Sequence, residues 1–489
     1  MTSGASATSH AALTTPLLSS LYTPLALSWV FMALEQPALN RILNGLPDFE
    51  LAKAALYRVM ALALFFESPV IDLLSTATAL SRNAANVVRL RQFCLLTMGV
   101  TIVLNGLVGF TPVFDIIATQ WLSQPAAVVE ASRTPFQIML FWAAFIGWRR
   151  CHHGFMIRTG LTRAIGVGTV LRIVVLIAVG AGGAYGLGLP GLHAVAWALL
   201  ISVIAETAFT HWAARPAVAQ LMRQEPTGPA LSFGEIARFH APQTATTLVI
   251  MLSAPAISMA LGRSADPVAN QSAWTLAFNL IWLMRAATYA LPELVIAHGD
   301  RAEDAPVLWR FCLTVGLSLS LGLAILSVPP IGHAVFQGGL SNVTATYALR
   351  PDGTLDVLNK GLDRSTCRWK EATGHAVFQG ILKSSPEESA RALPVILMAT
   401  LLPLLNGLMS FYRGMLTRVG RTMSRLYAIF AGVTSMMVFL ITSIWLQWPG
   451  LVGASVAILA GQIFEGAVLA WAWRRAERGP SRPAEVAPG

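Results

Sequence analysis

Charge is what this chain has least of. Only 12% of its 489 residues are Asp, Glu, Lys or Arg, where soluble domains carry about a quarter, while 55% are apolar and the mean hydropathy is +0.61. A water-soluble globular protein is excluded. Four cysteines, Cys94, Cys151, Cys312 and Cys367, lack metal or redox spacing, which argues against a zinc site or a disulfide framework, and free thiols are expected. No glycine-rich phosphate loop and no Ser/His/Asp set stands on a soluble element, so the chain reads as a non-enzyme without cofactor or metal. Any active work it does must then draw on an ion gradient. The N-terminal Ser/Thr/Ala-rich stretch has no basic run, and a cleavable signal peptide is not expected.

Apolar runs are abundant. Twelve reach the roughly 20 residues a helix needs to cross a bilayer: 22–43, 53–80, 91–113, 135–152, 164–187, 192–213, 241–262, 270–297, 306–330, 391–412, 424–447 and 450–473. The expected fold is an all-α polytopic membrane protein. A net charge of +10 does not mean nucleic acid, because the arginines collect in alternate loops. Arg82, Arg89 and Arg91 follow the second run, Arg149, Arg150, Arg158 and Arg163 the fourth, Arg215, Arg223 and Arg238 the sixth, and Arg301 the eighth. Arg413, Arg418, Arg421 and Arg425 follow the tenth, and Arg474, Arg475, Arg478 and Arg482 the twelfth, while loops five-six and eleven-twelve carry no basic residue. The positive-inside rule places both termini in the cytoplasm, and a bacterial inner membrane is the expected location. Arg41, Lys53, Arg58 and Arg263 run against this pattern and are either interfacial or functional.

The chain also repeats itself. Pro190-Gly-Leu, Glu206, Trp212 and Arg215 recur as Pro449-Gly-Leu, Glu465, Trp471 and Arg474 at an offset of 259. Phe93-Cys-Leu recurs as Phe311-Cys-Leu, and Pro24 with Pro37 as Pro242 with Pro255, at an offset of 218. Gly154-x-x-x-Arg158-x-Gly160 recurs as Gly414-x-x-x-Arg418-x-Gly420 at 260. Two six-helix bundles from one ancestral unit explain these matches. The jump in offset has a visible source, since Gly332-His-Ala-Val-Phe-Gln-Gly338 is written again as Gly374–Gly380, 42 residues on. Between the copies, Asn342-Val-Thr-Ala-Thr-Tyr-Ala-Leu alternates as a strand, Arg350-Pro-Asp-Gly-Thr reads as a hairpin turn, and Asp356-Val-Leu-Asn-Lys-Gly resumes strand-like text ahead of Trp369-Lys-Glu-Ala. This segment resembles a fragment of a bacterial lipocalin. About 40 residues cannot close a ligand-holding barrel of about eight strands, so lipid binding is not carried over, and a recombination scar on the extracytoplasmic side is the expectation.

The expected organisation is an N-terminal cytoplasmic tail (1–21), a first bundle (22–214), a cytoplasmic linker (215–240), a second bundle (241–474) interrupted by the insert (332–380), and a disordered tail (475–489).

Charges inside the apolar runs are the candidates for function, because each costs roughly 2.5–3.5 kcal/mol near the bilayer centre on insertion scales. Glu35 and Arg41 share the first run with Pro37, which cannot hydrogen-bond the Ala33 carbonyl and bends the helix. Asp72 follows Glu67 and Pro69 in the second. Glu206 and Glu465 sit at mid-depth, and Glu293 lies beside Pro292. Arg172 and Arg285 are too deep to be loop charges, and guanidinium groups present paired donors to carboxylates and phosphates. Substrate contact is expected at Arg41, Asn40, Arg172 and Arg285; ion coupling or charge pairing at Glu35, Asp72, Glu206 and Glu465. The duplicated glutamates equally suit a scaffolding role, and the arginines equally suit neutralising the buried acids. His152 and His153, beside Arg149 and Arg150, are expected in a solvated loop.

Two six-helix halves with a Gly-x-x-x-Arg-x-Gly link resemble the multidrug/oligosaccharidyl-lipid/polysaccharide (MOP) exporter superfamily. Within it, Glu35-Gln36-Pro37-Ala38-Leu39-Asn40-Arg41, then Phe65, Phe66, Pro69 and Asp72, then Gly453-Ala454, Leu459-Ala460-Gly461 and Glu465 are similar to the progressive-ankylosis (ANK) family, with Pro37 added. The resemblance implies export of small polyanions such as pyrophosphate, nucleotides or citrate; the expected protein is a secondary exporter that works by alternating access, as a monomer in membrane lipid, with a coupling proton or sodium ion. A flippase for lipid-linked oligosaccharide is the alternative within the superfamily. A non-transporting receptor or scaffold is the alternative outside it.

Overall fold

A computed structural model describes residues 13–43, 46, 49–121, 126–225, 230–264, 266–327, 346–349, 355–358 and 386–478, the side chains of some residues within these spans excepted. Nine helices form the first half: α1 (Thr15–Ala33), α2 (Glu35–Leu43), α3 (Phe49–Ile71), α4 (Leu73–Leu80), α5 (Ala84–Phe110), α6 (Ala126–Ile138), α7 (Trp142–Arg158), α8 (Arg163–Ala181) and α9 (Gly191–Ala213). The second half repeats them as α10 (Phe233–Met251), α11 (Ser253–Gly262), α12 (Pro267–Ala286), α13 (Leu291–His298), α14 (Ala305–Ser327), α15 (Pro386–Ala399), α16 (Leu402–Arg418), α17 (Thr422–Trp445) and α18 (Gly450–Arg478). Both ends of α1 and α10, and of α4 and α13, differ by 218 residues; both ends of α7 and α16 differ by 260. In these three pairs the pseudo-symmetry of the halves holds to the residue.

Eleven segments among the described residues are long and apolar enough to span a bilayer. The twelfth span is α6 with α7, which holds Glu130, Arg133, Arg149 and Arg150 and so falls below the hydropathy of the rest. Leu96, Val103 and Phe110 on α5 and Leu317 and Leu321 on α14 are more than half exposed, an apolar belt that only lipid makes favourable. Several ends reach further than the sequence suggested. Helix begins at Thr15 rather than 22, the stretch expected as a linker is helical over Arg215–Met222 and again from Phe233, and α18 runs to Arg478.

Local chemistry is mirrored too. The first span breaks at Leu34 and the seventh at Leu252, each three residues before a proline (Pro37, Pro255) whose missing N–H leaves the Ala33 or Met251 carbonyl without its helical donor. α10 opens on a capping box, with Ser232 Oγ accepting from the Glu235 amide at 3.2 Å and Glu235 Oε2 accepting from the Ser232 amide at 2.7 Å. α7 and α16 both end on a left-handed glycine, Gly160 (φ +77°) and Gly420 (φ +76°), with Leu161 N–H donating to Met156 O and Arg421 N–H to Leu416 O, each at 2.8 Å. The first glycine of the repeated link has a different job. A Cβ on Gly154 would stand 2.5 Å from Ala77 Cβ and 2.8 Å from Leu74 O, and one on Gly414 would stand 2.6 Å from Val295 Cβ and 2.9 Å from Pro292 O, so hydrogen alone lets α7 meet α4 and α16 meet α13.

The halves join through α1, α3, α4 and their counterparts. One buried cluster takes Leu18, Tyr22 and Leu25 from α1, Leu74 from α4, Met156 and Ile157 from α7, Leu291, Leu294 and Val295 from α13, and Phe411 and Met415 from α16. At the other end the principal contacts of α2 are with α1, α3, α8 and α9, and those of α11 with α10, α12, α17 and α18. Each of these helices stays within its own half, so the bundles part toward α2 and α11. Of the insert, β1 (Thr346–Leu349) and β2 (Leu355–Leu358) pair antiparallel with Thr346 opposite Leu358, the hairpin the Pro351-Asp-Gly text predicts. The duplicated Gly332–Gly338 and Gly374–Gly380 segments and the third expected strand lie outside the described residues.

Candidate functional site

The first half is built around a buried charge cluster. Arg172 on α8 donates Nη2 to both Glu35 oxygens at 2.9 and 2.8 Å and sets Nη1 3.7 Å from Glu206 Oε2, while Arg149 on α7 pairs with the same Glu206 oxygen. Thr169, itself hydrogen-bonded to Ser28, donates to Glu206 Oε1 at 3.3 Å. Arg149, Arg172 and Glu206 are all buried. This corrects the loop expectation for Arg149, Arg150, His152 and His153: all four lie inside α7 and are buried, because the helix runs on past Arg149, whose charge Glu206 neutralises. The sequence holds one clue to this, since four acids of the apolar runs (Glu35, Asp72, Glu206 and Glu465) outnumber the three arginines deep within them (Arg41, Arg172 and Arg285).

The second half carries a smaller cluster, whose arginine answers His153 and not Arg149. Glu465 on α18 accepts from Arg413 Nε at 2.9 Å and pairs with its Nη2, while Arg413 Nη1 reaches Asn406 Oδ1 at 3.3 Å. The buried positions of α8 at 168, 169, 172, 176 and 180 fall on buried or backbone-packed positions of α17 at 428, 429, 432, 436 and 440. That register places Gly432 where the first half has Arg172. A Cβ there would stand 2.9 Å from Glu465 Cβ, so glycine fills the second arginine's place with the glutamate's own stem.

Where the halves meet, equivalent residues bind equivalent partners. Tyr22 Oη donates to Ala287 O at 3.0 Å and His240 Nε2 to Pro69 O at 2.7 Å; Tyr22 stands edge-on to Phe311 and His240 to Phe93. Each member of the second set is 218 residues from its counterpart, His240 following Tyr22 and Pro69 and Phe93 preceding Ala287 and Phe311. His240 Nδ1 faces Thr76 Oγ1 at 2.8 Å, Gln243 donates to the same hydroxyl at 3.2 Å, and Thr247 donates to Asp72 at 2.7 Å. Ser75 donates to Glu293 Oε1 at 2.6 Å. Arg425 donates to Gln243 and Thr417 at 2.8 and 2.7 Å.

Two buried arginines stand apart from all this pairing. Arg150 of the first half lies over the Trp29 ring at 4.9 Å, and Arg285 of the second over Tyr289 at 5.9 Å. Trp29 and Tyr289 are themselves in ring contact at 5.5 Å, with Trp282 5.2 Å beyond. Neither guanidinium makes a hydrogen bond or ion pair with a described residue, and the Nε of each is buried without a partner. Glu67, buried on α3, occupies the position equivalent to Arg285 and likewise has no hydrogen bond or ion pair among the described residues. A cavity of about 20 Å³ beside this group is lined by Leu25, Ser28, Trp29, Leu74, Arg150, His153 and Glu293 among others.

Beyond the membrane-spanning segments the joined end is tied by Asp300. Arg418 donates Nε and Nη2 to it at 3.1 and 2.6 Å, and Arg158, the counterpart of Arg418, approaches at 3.5 Å from the other half. Burial alone would raise the Asp300 carboxyl, but Arg158 and Arg418 outweigh it and hold it below the usual carboxylate range. Burial lowers the nearby Arg82, which holds the position equivalent to Asp300.

Of the residues singled out from sequence, Glu35, Arg172 and Glu206 come together, Glu465 finds Arg413, and Asp72 finds Thr247. Arg285 reaches the bundle interface, whereas Arg41 is exposed on α2 and the Asn40 side chain lies outside the described ones. Cys94, Cys151 and Cys312 are free and buried; Cys367 lies outside the described residues.

The fold is similar to that of solved MOP-superfamily transporters. A MOP superfamily transporter from Pyrococcus furiosus matches 94% of the chain and 95% of its own length with a TM-score of 0.69 at 14% identity. An outward-facing MATE family multidrug-resistance transporter (TM-score 0.68) and a eukaryotic MATE transporter (0.65) match equally widely, each at 14% identity. At that identity the likeness establishes the fold, and it does not reach to the ANK family. No family model matches the chain. Among curated proteins, the outer membrane lipoprotein Blc of Escherichia coli K12 is 49% identical over 45 residues, and that of Vibrio cholerae 51% over 43. Those stretches are 9% of this chain, which spans about a quarter of the lipoproteins' length, and they bear out the lipocalin-like fragment.

Proposed function

We propose that the protein is a secondary active exporter, of the kind the ANK family represents, that moves small organic or inorganic polyanions by alternating access. It sits in a bacterial inner membrane with both termini in the cytoplasm, so the end tied by Asp300 is the cytoplasmic end and the parting at α2 and α11 faces outward. The observation that carries the reading is the pair of unpartnered buried arginines, Arg150 and Arg285, one from each half, at the Trp29–Tyr289 contact. A buried guanidinium with no carboxylate in bonding distance is costly to keep, and an anionic substrate entering between the halves supplies the direct partner that each lacks. A scaffold would explain the satisfied cluster around Glu206, but it gives no reason to hold two such groups at the plane where the bundles must separate.

Arg172 belongs with the scaffold in this reading, and Arg150 takes the place first assigned to it. Efflux of labelled pyrophosphate, citrate and nucleotide from proteoliposomes tests the assignment. Arg150→Gln and Arg285→Gln should each reduce anion efflux more than tenfold, with the protein still folded. Unchanged efflux in both variants would remove the anion site.

A further inference from the structure

Ser75 and Glu293 are counterparts, 218 residues apart, yet they touch each other. Under two-fold pseudo-symmetry a residue can meet its own equivalent only on the axis, so this 2.6 Å bond marks the pseudo-two-fold axis that relates the two bundles. Its second carboxylate oxygen, Oε2, is buried and has no hydrogen-bond partner. Glu293 also borders the 20 Å³ cavity with Ser28, Arg150 and His153, space for one water by the rule that about 10–15 Å³ suffices. The elements packed on α13 bring Arg150 and His153 from α7, Tyr22 from α1, Asp72 at the head of α4, and Arg413 and Arg418 from α16, with Arg425 on α17 also near. Arg413 is engaged by Glu465 and Arg418 by Asp300, and no cation stands within 4 Å of Glu293 among the described residues.

We propose that Glu293 is the proton-binding site that controls separation of the bundles, a step that rests on the exporter reading and names its coupling ion. The ionised carboxylate accepts the Ser75 hydroxyl and attracts Arg150, and both of these partners belong to the opposite half, so it holds the joined end together. A proton on Oε2 removes the attraction to Arg150 and weakens the Ser75 bond, and the end loosens. Sodium is a poor occupant of the same place. The cavity offers it one free carboxylate oxygen beside an unpaired guanidinium, whose charge repels a second cation.

The test is conformational and needs no substrate. Spin labels at exposed Leu161 and Val419, one in each half near the joined end, report its opening by distance measurement on the full chain in nanodiscs. One coupled proton changes the open-to-joined ratio by at most tenfold per pH unit, and that slope, with opening on acidification, is the expected result. Glu293→Gln should be open to the same extent at every pH above the lowered range in which Asp300 titrates, Glu293→Asp should keep a pH response with a moved midpoint, and exchanging sodium for choline should change nothing. A full pH response in Glu293→Gln, or a sodium response that this variant abolishes, would overturn the proposal. Should Glu293→Gln not fold, Ser75→Ala decides: an unmoved midpoint counts against the site. Failure here leaves anion efflux and its loss in Arg150→Gln untouched, whereas failure of the exporter reading shows only in the efflux assay.

Discussion

Removing the carboxylate of Glu206 should expose how the first bundle is held. The Glu206 side chain is fully buried, the Arg149 side chain is 2% exposed, and two further nitrogens of Arg149 already lack partners. In Glu206→Gln, Arg172 keeps Glu35, but Arg149 is left as an uncompensated buried charge. Breaking one side of such a pair costs about 3–5 kcal/mol, roughly two to three and a half orders of magnitude in the folding equilibrium. Replacing both partners by apolar groups of similar volume is commonly neutral or better, so Arg149→Met with Glu206→Leu should recover most of the loss. Chemical unfolding in lipid–detergent mixtures, followed by tryptophan fluorescence, measures both. If Glu206→Gln is as stable as the parent, or the double variant as unstable as the single, the ion pair is not what holds α7 to α9. A double variant that is stable and still exports would further separate the scaffold from the transport site.

Other outcomes follow from the same geometry. Asp300→Asn removes a bridge that is half-exposed and touches the opposite half only through Arg158, so it should favour opening of the joined end by no more than about 1 kcal/mol, read from label separation. Because Asp300 is held below the usual carboxylate range, its contribution is complete above that range and is lost only as pH falls through the lowered value; a latch that weakens on going from neutral to alkaline pH would contradict this. Gly154→Ala and Gly414→Ala should each destabilise by about 1–3 kcal/mol through overpacking, whereas Gly182→Ala, with nothing near its Cβ, should leave unfolding unchanged. Excision of residues 333–374, which restores a single Gly-His-Ala-Val-Phe-Gln-Gly, should leave both unfolding and efflux as they were; loss of either would make the insert a working part.

Much of the architecture was legible because membrane spans are written in long apolar runs and duplication is written in offsets. The offsets proved to be element boundaries, and Gly-x-x-x-Arg-x-Gly resolved into a close contact, an interface cation and a left-handed cap. The site was less legible. Arg149 and Arg150 sit where an apolar run gives way to polar text, and the sequence does not distinguish a helix that ends there from one that continues with Arg149 neutralised by a glutamate 57 residues later. The pairing of Glu35 with Arg172 across 137 residues, and the orphaning of Arg150 and Arg285, are facts of packing that no local pattern encodes.

Fusion of the two halves into one chain permits something a pair of identical subunits cannot have. In a two-fold homodimer every residue faces its own kind across the axis, and Glu293 would oppose Glu293. Here Ser75 opposes Glu293, Arg82 answers Asp300, and Glu67 answers Arg285. Opposite charges at equivalent stations give the molecule a built-in polarity across an axis where symmetry would otherwise enforce repulsion. Neither half, dimerised with itself, could reproduce it.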